Sequence, residues 1–262
     1  MAALEAAIQS GVSHKRWMAG SSPAMRMLGT CQPLLRIARS GVPTTRMDHE
    51  QAALARSSAA APLKAGRADI PKLTPLLTDA FSDDPCLQWT FKSGAGYKPA
   101  LAKYFDFALA SQCAKHDAMF MSADGNAAAI WLPPAGLASL SLPPTQMLRM
   151  LPRLISMTGF SRLTRAMATG DAMEKHHPPE PPHWYLFFIG VHSGARGLGL
   201  GSAILEATLR HVDNDAMPAY LDNSNPRNTR LYERHRFRLV SEYRARKDAP
   251  PFWGMWRDAK KV

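Results

Sequence analysis

The sequence is poor in cysteine and has no long apolar run. Three of its 262 residues are cysteines, Cys31, Cys86 and Cys113. That odd number, with no metal or redox spacing, excludes a disulfide scaffold and a zinc module and fits a reducing cytoplasm. The longest apolar stretch runs from Trp184 to Val191, far short of the roughly 20 residues that a membrane-spanning helix needs. His176, His177, His183 and His192 invite a metal reading, but no ligand spacing such as H-E-x-x-H exists, so no metal is expected. No Gly-Lys-Ser/Thr follows the glycine-rich turn described below, which excludes a Walker loop. A nucleophilic Cys or Ser motif and an internal repeat are also missing.

What is present is a foldable chain with an uneven charge. Hydrophobic residues make up 46% and charged residues 20%, which excludes wholesale disorder. The net charge of +11 could suggest nucleic acid, but its distribution argues otherwise. Residues 1–46 carry six basic side chains against Glu5, and residues 225–262 carry eleven basic against four acidic. The body between them is close to neutral. A protein that coats a polyanion would be more uniform, and the interleaved surface aromatics of a single-strand binder are missing.

Residues 1–61 show no sustained period of 3.6 or 2 and are expected to form a basic, mobile tail. No compact apolar segment precedes a small-residue cleavage site, so a secretory signal is not expected. The basic, acid-poor character also fits an organelle transit peptide, or sequence upstream of a start at Met47. Residues 62–262 read as a single domain. Leu63–Ala65 reads as a short strand, and Asp69 then caps a helix in which Ile70, Leu73, Leu76, Leu77 and Phe81 recur at helical spacing. Asp83-Asp84-Pro85 stops that helix. A second helix is expected over 97–114, then a hairpin with strands 118–122 and 127–132 around Asp124-Gly125-Asn126. The Pro- and Met-rich stretch 133–182 holds two helices, near 145–157 and 160–174. Beyond it the text alternates: strand 183–191, helix 199–214, strand 219–223, helix 226–235, strand 237–243 and a short strand near 252–257. Such alternation predicts an α/β fold with a mixed sheet and at least one parallel pair.

The chemistry concentrates after the strand 183–191, which is apolar on both faces and therefore central. Arg196-Gly197-Leu198-Gly199-Leu200-Gly201 follows and opens the next helix. Glycines let a backbone come close to a ligand, and the free N–H groups of a helix start, with its macrodipole, favour a phosphate. The turn therefore reads as a pyrophosphate cradle. A Rossmann reading competes, because Asp222 ends the next strand about twenty residues on, where a ribose-binding acid would sit. Against it stand the G-x-G-x-G spacing and the single βαβ unit.

The string from Val191 to Gly201 resembles the acetyl-CoA signature of the GNAT acyltransferases, Arg/Gln-x-x-Gly-x-Gly/Ala. Asn228 to Tyr232, within the run from Asn225 to Phe237, resembles that family's later helix. The likeness covers roughly residues 63–257 and fades across 86–175. Through His176, the Pro-rich step to Trp184, Pro218-Ala219-Tyr220-Leu221, Pro226-Arg227-Asn228, Tyr232-Glu233-Arg234 and Ala80-Phe81 with Pro85, it leans towards the puromycin N-acetyltransferase type. It implies the GNAT fold, in which the strands ending at Val191 and Asp222 run parallel and then splay. It also implies acetyl-CoA as co-substrate, with no metal, and direct acetyl transfer to a primary amine of a small molecule or peptide.

On that resemblance Ile189, Val191, Arg196, Gly197, Leu198, Gly199, Leu200, Gly201, Ser202, Asn228 and Tyr232 would contact acetyl-CoA within an acetyl-CoA-binding core, 183–257. Tyr232 would protonate the departing thiolate, where the residue-level alternative is a packing tyrosine. Asp222 would drain the amine proton, where the alternative is an end-of-strand capping acid. The acceptor pocket would lie in 86–182. A cytoplasmic enzyme is expected, a homodimer is allowed, and neither membrane nor nucleic acid is expected as a partner. The alternatives by class are a Rossmann-type nucleotide-dependent oxidoreductase and a basic RNA-binding module. Two residues depart from the family pattern: Ser193 replaces a proline, and Arg236 stands where a glycine is usual.

Overall fold

The computed structural model describes residues 49–137, 140 and 144–260, with the backbone alone for 144–147. The expected tail therefore falls in large part, 1–48, outside the described residues, as does Cys31. Its remainder differs from expectation: His49–Ala60 forms a helix, α1, with Ala52, Ala55 and Ala59 buried. Three alanines at helical spacing give little apolar contrast in sequence, yet their small side chains suit close helix packing.

Among the described residues seven strands follow: β1 (Leu63–Ala65), β2 (Met119–Met121), β3 (Ala127–Leu132), β4 (Trp184–Val191), β5 (Ala219–Asn223), β6 (Arg238–Arg244) and β7 (Pro251–Arg257). They form one sheet in the order β1-β2-β3-β4-β5-β7-β6. Only β4 and β5 pair in parallel, through Trp184 with Ala219 and Tyr185 with Tyr220. Past that point no rung joins them, so β4 and β5 diverge towards Val191 and Asn223. The other neighbours are antiparallel. This mixed α/β sheet, with one splayed parallel pair, is the expected architecture and does not supply the parallel halves of a Rossmann domain.

The helices cover both faces, as the apolar character of β4 demands. On one face lie α2 (Ile70–Ala80) and α4 (Tyr97–Ala108), whose Leu73, Leu77, Leu101 and Phe105 meet Met119, Ile130 and Phe188. α2 approaches β4 so closely that a Cβ on Gly190 would lie 2.9 Å from the Cβ of Ala80. Over the other face α8 (Leu200–Asn214) presents Leu200, Ile204, Leu205, Leu209 and Val212 to Ala129, Trp131, Leu186 and Leu221. α1 joins this second core through Ala55 and Ala59.

Three local differences from the sequence reading have clear causes. Asp83-Asp84-Pro85 ends α2 but also begins α3 (Pro85–Thr90): Asp84 caps it by accepting from the Leu87 N–H at 2.9 Å, and Pro85 sits in its first turn. The helix expected over 97–114 is α for Tyr97–Ala108 and continues as a π-turn over Leu109–Cys113. The helix expected over 226–235 is a 3₁₀ turn, Pro226–Asn228, leading into α9 (Thr229–Arg234). Within 133–182 stand α5 (Pro134–Leu137), α6 (Pro144–Thr158) and α7 (Leu163–His176). Among the described residues no helix is long and apolar enough to cross a membrane.

Candidate functional site

The splay of β4 from β5 opens a cavity of about 520 Å³ between Ile189–Val191, the start of α8, the loop after β5 and the end of α2. That volume falls in the range of small-molecule sites. Its shape follows from the turn after β4. Gly199 caps α8 in the left-handed region, φ 85°, a conformation that a side-chain-bearing residue resists. The chain thereby enters the helix with the N–H groups of Leu200, Gly201 and Ser202 outside the intrahelical ladder, where an anion can receive them. A Cβ on Gly199 would stand 3.3 Å from Cδ of Arg56, so a flanking side chain already lies against this turn.

Two clamps fix the turn to α2. Asp79 accepts from the Ser193 N–H at 2.6 Å and from its hydroxyl at 3.1 Å. A proline here could not offer that N–H, so this departure from the family pattern gains a hydrogen bond. Arg196 donates to Asp83 at 2.8 and 3.1 Å and to the Ala80 carbonyl at 2.7 Å. The Arg196 guanidinium holds the Asp83 carboxyl below its usual range. Arg196 thus spends its side chain as a brace and meets the cavity as part of the turn.

Of the residues singled out for acetyl-CoA, Ile189, Val191, Arg196, Gly197, Gly199, Leu200, Gly201, Ser202, Asn228 and Tyr232 all line the cavity. Leu198 does not; it packs into the core beneath α8. Ser202 is further tied to His235, Oγ to Nε2 at 2.8 Å, which links the start of α8 to the end of α9. Tyr232 is 5% exposed, and burial pushes its phenol pKa up. Sequence reasoning missed the wall supplied by Ala80, Phe81, Asp83 and Asp84, more than a hundred residues before the glycine turn, and also Asn225, Arg227 and Arg234. The Asn225-Pro226-Arg227 step was a usable signal for the latter group. Buried Asp84 also accepts from the Ser224 hydroxyl, and desolvation raises its carboxyl pKa.

Asp222 lies elsewhere. On β5, Ala219 and Leu221 join the core under α8, whereas Tyr220 joins the opposite one. Strand alternation places Asp222 with Tyr220. There its carboxylate accepts from the hydroxyls of Tyr220 and Tyr243 at 2.7 Å each and of Tyr185 at 3.0 Å. Desolvation raises its pKa, against the lowering effect of those three donors. The arrangement does not bring Asp222 and Tyr232 into one cavity; they flank the splay from opposite faces. Around the tyrosines, His183 Nδ1 donates to the Pro181 carbonyl at 2.7 Å, so its Nε2 accepts from His177 Nε2 at 3.0 Å. Both His183 nitrogens are committed. Among the described residues none of 86–182 lines the cavity, and no group of three or more His, Cys, Asp or Glu is placed to hold a metal ion.

The sequence model of the Acetyltransferase (GNAT) family matches residues 154–237. Among solved structures, the histone acetyltransferase HPA2 and related acetyltransferase from Corynebacterium glutamicum is 26% identical, covers 77% of this chain and 97% of its own, and superposes with a TM-score of 0.55. The C-terminal condensation domain of Ebony, solved with beta-alanyl-dopamine, is 11% identical over 76% of this chain and 97% of its own, with a TM-score of 0.51. Arylalkylamine N-acetyltransferase 2 from Aedes aegypti is 14% identical over 76% and 98%, with a TM-score of 0.50. The splayed parallel pair, the glycine cradle and these likenesses agree: the chain has the GNAT fold and carries, over residues 154–237, a match to the GNAT acetyltransferase domain.

Proposed function

We propose that the chain is an acetyl-CoA-dependent N-acetyltransferase that acts on a primary amine by direct attack, with no covalent enzyme intermediate. The observation that carries this reading is the cavity at the splay, walled on one side by open helix N–H groups and on the other by Asn228 and Tyr232. The site fits the co-substrate: the turn at Gly199 leaves main-chain donors free, and Asp83 on the cavity wall is paired with Arg196. When bound, acetyl-CoA supplies the activated acyl carbon and a thiolate leaving group. The N–H groups of Leu200, Gly201 and Ser202 hold the pyrophosphate, and Asn228 touches the pantetheine arm. Tyr232 gives its phenolic proton to the departing sulfur. Asp222, held between three tyrosine hydroxyls, takes the proton of the attacking amine from the other side of the splay. Its raised pKa suits a base, since proton affinity is what that role requires.

For the acceptor we propose the amine of an aminoacyl-type small molecule, following the puromycin-type likeness at His176, Trp184 and Pro226-Arg227-Asn228, in a pocket contributed by residues 86–182. Acetyl-CoA is expected to raise the melting temperature, and NAD to leave it unchanged. The reverse preference would overturn the reading. A screen of CoA thiol release over aminonucleosides, polyamines, arylalkylamines and peptide N-termini then identifies the acceptor.

A further inference from the structure

We infer that α1 completes the phosphate site. Arg56 closes the cradle at the start of α8 over a phosphate group of the nucleotide thioester. The inference rests on the acetyl-CoA reading and adds to it a ligand from a helix that lies before β1, outside the glycine signature.

The first ground is position. α1 sits against α8 through Ala55 and Ala59, 4% and 0% exposed, and small side chains allow that close approach. Two further bonds hold its end: the Ser58 hydroxyl accepts from the Asp124 N–H at 3.2 Å, and the Ala60 carbonyl accepts from Arg210 at 3.3 Å. Arg56 projects from this anchored helix with Cδ 3.3 Å from where a Cβ of Gly199 would stand and Cγ 3.9 Å from it. Its stem thus lies along the one residue whose left-handed turn frees the helix N–H groups.

The second ground is charge. Other arginines are spoken for: Arg196 by Asp83, Arg257 by Asp213 and Arg238 by Asp258. Among the described residues no carboxylate pairs with Arg56. The acids on the cavity wall cannot answer it, since Asp83 is held by Arg196 and Asp84 is buried against Ser224. Arg227 and Arg234 line the same cavity. An anion drawn to the open N–H groups therefore meets a cationic wall, with Arg56, which is not itself in that lining, set beside it against Gly199. A guanidinium can meet two phosphate oxygens at once, which a single backbone N–H cannot.

Calorimetric titration of the full chain with CoA and with dephospho-CoA tests this. Arg56→Ala is expected to weaken CoA binding about tenfold, the effect of one charge-assisted hydrogen bond. Arg56→Lys should recover part of the loss, and both variants should keep the wild-type melting temperature because the side chain is exposed. If the variant and wild type bind dephospho-CoA equally, Arg56 holds the 3′-phosphate; if dephospho-CoA suffers the same loss as CoA, it holds the pyrophosphate. Either result supports the inference. Equal CoA affinity in wild type and Arg56→Ala overturns it while leaving the acetyl-CoA reading intact. No CoA binding by the wild type overturns both.

Discussion

Tyr232 and Asp222 flank the splay, and magnitudes separate what each can contribute. In the proposed reaction the CoA thiol would leave with a pKa near the ~8.5 of a cysteine, so its thiolate would depart tolerably unaided. Tyr232→Phe is therefore expected to lower kcat by about 10² to 10³, with the acetyl-CoA KM little changed, as read from steady-state rates on one accepted amine. An acceptor near pKa ~10.4 must shed its proton before attack, which is hardest in acid. Asp222→Asn should accordingly cost rate chiefly below neutral pH; an unshifted pH–rate profile would leave Asp222 as an anchor for three tyrosines. Two neighbouring ionisable groups have less claim to the base, since His183 is bonded at both ring nitrogens and Glu180 is exposed. Arg236 adopts φ 69°, the left-handed conformation that the family's glycine accepts freely. Arg236→Gly should therefore stabilise the fold by about 1 kcal/mol in denaturant unfolding, less the entropy that glycine adds to the unfolded chain. That position was legible in the sequence because one residue type answers one backbone need. The tyrosine cage around Asp222 was not, because its members come from three strands.

Among the elements, α1 shows most clearly where pattern reading ends. Its buried face is alanine only, so no apolar stripe announced it, and its partner α8 lies about 140 residues later. Deleting residues 1–46 leaves α1 in place and is expected to leave melting and turnover unchanged. Deleting 1–61 strips three buried methyl groups, each worth about 0.8 kcal/mol. For a chain of this size, at about 2–4 °C per kcal/mol, that predicts a fall of about 5–10 °C in differential scanning calorimetry. Equal melting of the two truncations would show that α1 adds nothing to the fold. The strands and α8 were readable because alternation and helical spacing carry through them, with Ala219–Asn223 matching the expected residues. The α2 wall of the cavity was not readable: its link to the glycine turn is a set of hydrogen bonds, donated by Ser193 and Arg196 to Asp79 and Asp83, that no local pattern encodes.

For the whole molecule, acid is the telling stress. Burial lowers the pKa of His177 to about 4, with the neighbouring His183 adding to it, and lowers those of His183, His235 and His116 as well. The unfolded chain binds a proton at His177 near pH 6.5, which the folded chain refuses until about pH 4. Stability from this source is full above pH 6.5 and drains as pH falls through that window. The raised carboxyls of Asp84 and Asp222 act in the opposite sense, favouring the fold when protonated. Melting temperatures measured from pH 7 to 4 should fall less in His177→Gln than in wild type; parallel slopes would show that the histidine cluster does not govern acid unfolding. The order of the sheet carries a last consequence, for biosynthesis. β7 sits between β5 and β6, although it is made after both. While the ribosome is still translating that region, the edge of β5 that β7 will cover has no partner, and exposed edges recruit other chains. A transcript that terminates before Pro251 would release a chain with this edge open, and such a product should be found in inclusion bodies or bound to chaperones.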